Sequence, residues 1–183
     1  TTTLLISEVD YVLNFAAESH VDNSIVSSKP FIDTNIEGVR NLLDGILKTQ
    51  KKIRFVQIST DEVFGDLKSG SATEDSGLNP SSPYSSSKAS AELLVNSYMI
   101  TYGVKAIITR CTNNYGPRQF IEKLIPKTIL LADQNKKIPI YNGGKGIRDW
   151  IHVDDHCNAI SQVLHNGKDG QKYNISAKNE FDV

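Results

Sequence analysis

Cysteine is scarce in this chain: Cys111 and Cys157 are the only two among 183 residues. Two thiols cannot build a disulfide framework, and they lack metal-ligand spacing, which favours a reducing, cytoplasmic setting. Net charge is as slight, at -1 with the histidines neutral. That balance gives no electrostatic case for nucleic acid or an acidic membrane as partner. Long apolar runs are missing too. No stretch reaches membrane-spanning length, and no signal peptide is visible. The opening Thr1-Thr2-Thr3-Leu4-Leu5-Ile6 has no positive n-region and reads poorly as a natural start. Internal repeats and low-complexity tails are also absent.

What is present is ordinary globular material, 39% hydrophobic and 22% charged, enough for one sizeable core. The patterning alternates between two types. Val9 to Phe15 is strand-like, and the segment from there to about Lys51 is helix-like. Ile53 to Ile58 is a second strand and Val104 to Thr109 a third. Pro83 to Tyr102 reads as a helix with Ser82 as N-cap, Pro83 in the first turn and Gly103 just past the end. Further helices are expected over Glu122 to Asn135, which contains Pro126, and over Asp154 to His165. Ile138 to Tyr141 reads as a short extended piece and Lys172 to Ile175 as a last short strand. Strands alternating with helices imply βαβ units: an α/β, doubly wound parallel sheet. The Ser/Gly/Pro-rich stretch from Lys68 to Ser82 reads as a surface loop. A boundary falls between Cys111 and Gln119, so residues 1–112 form a partial dinucleotide-binding domain and residues 113–183 contribute to a smaller lobe.

In open parallel sheets, ligands sit outside the carboxyl ends of the strands. Three such ends carry small or polar residues: Ala16-Ala17-Glu18-Ser19-His20, Ser59-Thr60-Asp61-Glu62, and Arg110 to Pro117. Tyr84 and Lys88 follow the second, four residues apart. On a helix they share a face. A phenol beside an ammonium has its charged form favoured, so the Tyr84 pKa is expected to fall toward that of a working base. The adjacent carboxyls of Asp61 and Glu62 favour sharing one proton, which suits an acid and base pair. His152 and His156 have an i, i+4 metal-like spacing, but no general-base Glu and no third ligand accompany them. No metal is expected.

Tyr84-x-x-x-Lys88 behind a strand ending in Ser59-Thr60 resembles the extended short-chain dehydrogenase/reductase family, in its nucleotide-sugar branch. Ala16 to Asp22, Thr34-Asn35, Thr60 to Gly65, Asn113 to Pro117, Glu122 to Pro126 and Ile147 to Trp150 occur in an order similar to the dTDP-glucose 4,6-dehydratases. The resemblance covers residues 9 to 180 or so, and the Thr60-Asp61-Glu62 triplet is its specific part. It implies a Rossmann-like fold truncated at its N-terminal end, NAD as cofactor and a nucleotide sugar as substrate. In that reading Tyr84 takes the proton of the sugar 4-hydroxyl, Lys88 holds the nicotinamide ribose, Thr60 bonds the 4-oxygen, Glu62 removes the C5 proton and Asp61 protonates the departing 6-hydroxyl. Ala16, Ala17, Ser19 and Ser59 join Tyr84 and Lys88 around NAD. His20, Thr60, Asn113, Lys123, Leu124, Tyr141, Arg148 and Asn174 bind the substrate, with Arg148 on the diphosphate. Asn35 is structural. Asn23 stands where relatives often have Arg, and Ile121 replaces a frequent Pro. A UDP-sugar dehydratase, an epimerase, a decarboxylase and a non-catalytic binding member of the fold stay open as alternatives.

The chain has no Gly-x-x-Gly-x-x-Gly turn and no early strand-end acid for an adenosine ribose. In the family both come earlier, so two βα units, roughly 60 residues at ~30 each, are expected to precede this segment. The chain also stops soon after Asn179-Glu180. A fragment of a longer protein is the expectation, one that alone binds NAD badly for want of the pyrophosphate cradle. The sheet edge should be uncovered and the region before Val9 discontinuous. A homodimer is expected, as the family implies, through the helices holding Tyr84 and spanning Asp33 to Lys48. Leu42, Leu43, Ile46, Leu47, Leu94 and Tyr98 would supply its apolar face.

Overall fold

The computed structural model describes residues 2–67, 69–144 and 146–182; the side chains of Thr2, Tyr141 and Asn142 lie outside the described set. In chain order the elements are α1 (Thr2–Ile6), β1 (Tyr11–Asn14), α2 (Val21–Val26), α3 (Lys29–Ile32), a π-helical turn (Asp33–Glu37), α4 (Gly38–Thr49), β2 (Arg54–Thr60) and a 3-10 turn (Asp61–Phe64). Then come α5 (Pro83–Tyr102), β3 (Lys105–Cys111), β4 (Asn113–Tyr115), α6 (Leu124–Asp133), a second 3-10 turn (Tyr141–Gly144), β5 (Ile147–His152), α7 (Val153–Asn166), β6 (Lys172–Ile175) and β7 (Glu180–Asp182). Two compact units result, one from Thr1–Cys111 with Gln162–Asn174, the other from Thr112–Ser161 with Ile175–Val183.

The first unit carries a sheet in the order β1-β2-β3-β6, with β1·β2 and β2·β3 parallel. Six of the seven β2 residues are buried, because both faces are covered and the strand reads as a continuous apolar run. Phe55, Val56, Ala106, Ile107 and Ile108 are fully buried with Leu43 and Val95. Each such large side chain contributes roughly 1.5–3 kcal/mol of burial. Asn14 and Gln57, paired in register, satisfy each other inside the sheet through a 3.0 Å amide bond. Helix α5 starts as its sequence dictates. Ser82 and Ser85 form a capping box, Pro83 occupies the first turn, and Gly103 closes the helix at φ 69°.

Strand β1 is the open edge: Tyr11 and Leu13 on it and Phe15 just past its end are exposed at 46%, 36% and 53%. The expected bare edge is therefore present. The expected break before Val9 is not. Residues 2–6 form α1, whose Ile6 is buried in the core because Gly45, lacking a Cβ, lets it approach α4. The segment from 16 to 51 is likewise not one helix. Ser27 is extended, Pro30 restarts the helix near the beginning of α3, and the π turn widens it before α4. Leu43 and Ile46, assigned above to a dimer face, are buried in this unit's own core, and Leu42, Leu47, Leu94 and Tyr98 pack partly against it. Their helical spacing serves the sheet they cover.

The second unit holds a smaller sheet, β4-β5-β7, with β4·β5 parallel and β5·β7 antiparallel. Helix α6 is shorter than the expected 122–135 and has Pro126 in its first turn, where a missing N–H is harmless. Ile138 to Ile140 form no strand, since Pro139 cannot donate to a ladder, while Ile147–His152 do form one. Residues 162–174, read above as part of the second lobe, belong to the first unit, where β6 extends the larger sheet.

Candidate active site

The first unit gathers five of the singled-out residues at the carboxyl end of β2. Thr60 ends the strand and caps the 3-10 turn: its hydroxyl accepts from the Glu62 amide at 3.3 Å and donates to the Asp61 carboxylate at 3.2 Å. Gly65 ends that turn at φ 71°, ψ -165°, and a Cβ there would lie 2.1 Å from the Asn79 carbonyl oxygen. Only glycine fits. Because Asn79 donates in turn to the Val63 carbonyl at 2.9 Å, the 66–82 loop is fastened to the turn that presents the carboxyl pair. Val63, Phe64 and Ala89 with Ala72 and Leu78 make a small second core beneath it.

Tyr84 and Lys88 occupy one face of α5, both buried. The Tyr84 backbone amide donates to the Ser24 hydroxyl at 3.1 Å, and its ring meets Phe31 edge-on at 6.3 Å. Lys88 Nζ donates to the Ile58 carbonyl at 2.6 Å, on the strand that leads into Ser59-Thr60. The expectation of a depressed Tyr84 pKa is overturned. Burial pushes the phenol well above its ordinary value, the charge of Glu62 adds to this, and a hydrogen bond with Thr60 opposes it. Burial also pushes Lys88 down to about 8, against the pull of Cys111 and Glu92. The ammonium is committed to a carbonyl, so the two groups share a helix face without the ion pairing that their spacing suggested. The charges of Glu62 and Asp61 raise the Tyr84 pKa further, and the Thr60 hydrogen bond lowers it.

A device legible only in part from sequence holds this face in place. Asn35, buried inside the π turn, accepts from Glu18 N at 2.9 Å and donates to Glu18 O at 3.0 Å and to Ser87 Oγ at 2.8 Å. Ser87 Oγ donates to the Tyr84 carbonyl at 2.7 Å. One amide thus ties the β1 exit, Ala16 to His20, to the turn of α5 between Tyr84 and Lys88. Ala16 and Ser19 are exposed there and Ala17 is half-buried. The Ser59 hydroxyl and His20 Nδ1 are buried atoms without a hydrogen-bond partner among the described residues.

The second unit carries the other named residues. Asn113, on β4, donates to the Asp149 carbonyl at 3.5 Å. Arg148, on β5, is exposed, with a local bond to the Ile147 carbonyl. Lys123 precedes α6, and Leu124 opens it. Leu124 lines a cavity of about 320 Å³ with Tyr115, Ile125, Trp150, Asn179, Phe181 and Asp182. Phe181 and Asn179 carried no signal in the sequence; they come to the cavity through β7 and its approach. Asn174 belongs to the first unit, where its amide donates to the Ala72 carbonyl and its Oδ1 has no partner. The Tyr141 side chain lies outside the described residues.

Known proteins resemble this chain in sequence and in fold. The family model described as GDP-mannose 4,6 dehydratase matches residues 2–183. The low-salt glycan biosynthesis protein Agl12 of Haloferax volcanii is 49% identical over 173 residues, covering 94% of this chain and 56% of that protein. A dTDP-glucose 4,6-dehydratase of Streptomyces griseus is 48% identical over 166 residues, 91% of this chain and 50% of that one. A crystal structure of the dTDP-glucose 4,6-dehydratase DesIV from Streptomyces venezuelae, with NAD bound, superposes with a TM-score of 0.94 at 43% identity, over 98% of this chain and 57% of that one. The chain spans about half the length of the curated relatives it matches. With a family match over residues 2–183 and a superposition that covers 98% of the chain, the chain belongs to the GDP-mannose 4,6 dehydratase family of nucleotide-sugar dehydratases.

Proposed function

We propose that the protein is an NAD-dependent nucleotide-sugar 4,6-dehydratase that converts dTDP-glucose to its 4-keto-6-deoxy product and water. One observation carries the reading: a carboxyl pair on a turn capped by Thr60, in electrostatic contact with a buried tyrosine one helical turn from a buried lysine. The residues present fit the nicotinamide end of NAD. Ser59 offers an orphaned buried hydroxyl, Lys88 a buried amine, and Ala16, Ala17 and Ser19 a small-residue strand exit beside them. Bound there, NAD supplies a hydride acceptor and a positive charge that favours the Tyr84 phenolate.

Tyr84 then takes the 4-hydroxyl proton, with Thr60 bonded to the same oxygen. Loss of the C4 hydride to the bound cofactor leaves a 4-ketone that acidifies C5; Glu62 removes that proton, Asp61 gives its own to the departing 6-hydroxyl, and return of the hydride to C6 with a proton to C5 completes the 4-keto-6-deoxy sugar. Lys88 holds the ribose. Asn113, Lys123, Arg148 and the cavity at Leu124 take the nucleotide diphosphate, the Arg148 fork suiting phosphate. His20, Tyr141 and Asn174 complete the proposed substrate contacts. The working form is a homodimer, built on exposed Leu93, Ile100 and Tyr102 of α5 with the half-buried Leu42, Leu47, Leu94 and Tyr98. Among the described residues no helix is long and apolar enough to cross a membrane. Cys111 and Cys157 form no disulfide among the described residues, which suits a cytoplasmic place of action.

Incubation of the full-length protein with NAD and either dTDP-glucose or UDP-glucose tests the reading, with product followed as a 4-keto-6-deoxy sugar. Turnover of dTDP-glucose supports it. Preference for UDP-glucose moves the substrate, and release of a 4-epimer or loss of carbon dioxide from a uronic acid substrate replaces the reaction. Light scattering of a monomer removes the dimer.

A further inference from the structure

Arg110 is the largest fully buried side chain among the described residues, 1% exposed, and the reading above gives it nothing to do. It stands on β3 in register with Ser59. Its guanidinium forks onto Glu92: Nε donates to both carboxylate oxygens at 3.1 Å and Nη2 to one of them at 2.7 Å. Nη1 donates to the Glu74 carbonyl at 3.1 Å. The cation also lies 4.7 Å from the centre of the Phe64 ring. Glu92 is itself 2% exposed, so the pair is sealed from water.

These partners share a purpose. Glu92 is on α5, four residues beyond Lys88 and eight beyond Tyr84, so the three share a helix face. Phe64 ends the 3-10 turn that presents Asp61 and Glu62. Glu74 lies in the loop that joins that turn to α5, and its carboxylate accepts from the Asn174 backbone N–H at 3.0 Å. We infer that Arg110 is a positioning residue that clamps the turn holding the carboxyl pair to the helix holding Tyr84 and Lys88. This rests on the proposed dehydratase reading for its consequence, though not for the clamp itself.

Physical grounds favour positioning over simple stability. A buried ion pair is often no more stable than apolar residues of the same volume, so its retention needs another reason. A planar fork fixes direction as well as distance. The three contacts lead to the three segments whose relative placement decides whether Glu62 and Tyr84 can reach one sugar. Glu92 also pulls the Lys88 pKa up against burial, so the clamp acts on the same helix face as Lys88.

The test removes both charges at once, in the double variant Glu92→Met, Arg110→Met, which leaves no unpaired buried ion. A folded protein is expected, with KM near wild type. Turnover should fall on the order of 10²-fold, the scale set by a 1 Å misplacement. Oxidised sugar and NADH should accumulate, because Tyr84 and Lys88 keep their own helix while the carboxyl pair drifts. Hydrogen exchange at the Gly65 and Asn79 amides should quicken. Wild-type turnover in a folded double variant overturns the clamp. If the double variant does not fold, Arg110→Lys decides, since it keeps the charge and loses the fork; wild-type turnover and exchange there overturn the clamp as well. Should the unaltered protein dehydrate no nucleotide hexose, the dehydratase reading falls and the exchange rates alone judge the clamp, which unchanged rates overturn.

Discussion

The two units treat their buried residues differently. In the first, α5 buries eight of its twenty residues, and four of those, Ser85, Ser87, Lys88 and Glu92, are polar. In the second, α6 buries none, and the buried residues among those described are Ile151, His156, Ile160 and Ile175. Reacting groups held in a packed core keep fixed distances and shifted pKa values. Groups on a half-exposed surface can grip a ligand without such constraint. On the proposed reading the difference suits chemistry in the first unit and recognition in the second, and it predicts how variants of each should fail.

The largest effects belong to the first unit. Tyr84→Phe should prevent oxidation, so neither NADH nor product forms. Glu62→Gln should oxidise C4 in a single turnover and stop at the 4-keto sugar with NADH. Asp61→Asn should oxidise and exchange the C5 hydrogen with solvent deuterium while losing water slowly. Each defect should reach about 10²–10⁴-fold, the usual worth of a general acid or base. Arg148→Ala, in the second unit, should instead raise KM with kcat nearly kept, the sign of lost uniform binding. A kcat defect at Arg148 equal to that at Glu62 would erase the division between the units.

Backbone strain gives the next contrast. Gly65 and Gly143 both have positive φ, but a Cβ at Gly65 meets the Asn79 carbonyl whereas at Gly143 it meets open space. Gly65→Ala should cost about 3 kcal/mol or more, combining a glycine-only conformation with a backbone clash. Gly143→Ala should cost about 1–2 kcal/mol, the left-handed penalty alone. Urea melts of the two variants measure the gap, and equal losses would mean the loop yields at Asn79.

Stability against pH sharpens the same point for Lys88. Its folded pKa is about 8 against 10.5 when exposed, with burial the main cause. Between those values the unfolded chain binds more protons than the folded one, so stability rises with pH through that window. The full contribution is on the order of 3 kcal/mol at 1.36 kcal/mol per unit. Above pH 10 the raised Tyr84 pKa acts in the opposite sense, since the unfolded phenol loses its proton first. Lys88→Met should abolish the rise between pH 8 and 10 in urea midpoints. A rise that survives the substitution would assign it to another group.

Helix α5 was legible in the sequence because local chemistry alone sets it: Ser82, Pro83 and Gly103 are its start and stop. The parallel strands were legible because continuous apolar runs fit a sheet covered on both faces. The Thr60-Asp61-Glu62 turn and Tyr84 with Lys88 were legible as residues, but their electrostatics were not. Spacing told that Tyr84 and Lys88 share a face; it could not tell that the ammonium turns to the Ile58 carbonyl or that burial dominates the phenol. The Arg110 clamp was invisible because its partners, Phe64, Glu74 and Glu92, are dispersed in sequence and meet only in the fold. Strand β7 and the cavity residues Asn179 and Phe181 were missed for a similar reason: a three-residue strand has no periodicity to read.

The smallest expected effect is at Ile129, on α6, which is 64% exposed. Exposed apolar side chains on a surface helix add little to stability, and substitutions there usually stay within about 0.5 kcal/mol. Ile129→Gln should therefore leave the urea midpoint almost unmoved and kcat unchanged. Val95→Ala on α5 makes the opposing case, because Val95 is fully buried. Losing its methyl groups should cost about 1–3 kcal/mol, through lost burial and the cavity left behind. The pair of melts asks whether the second unit's helix is a surface in the working protein. If Ile129→Gln costs as much as Val95→Ala, the α6 face is covered there by something the isolated chain does not supply, and the contrast between a packed unit and an open one belongs to this chain alone.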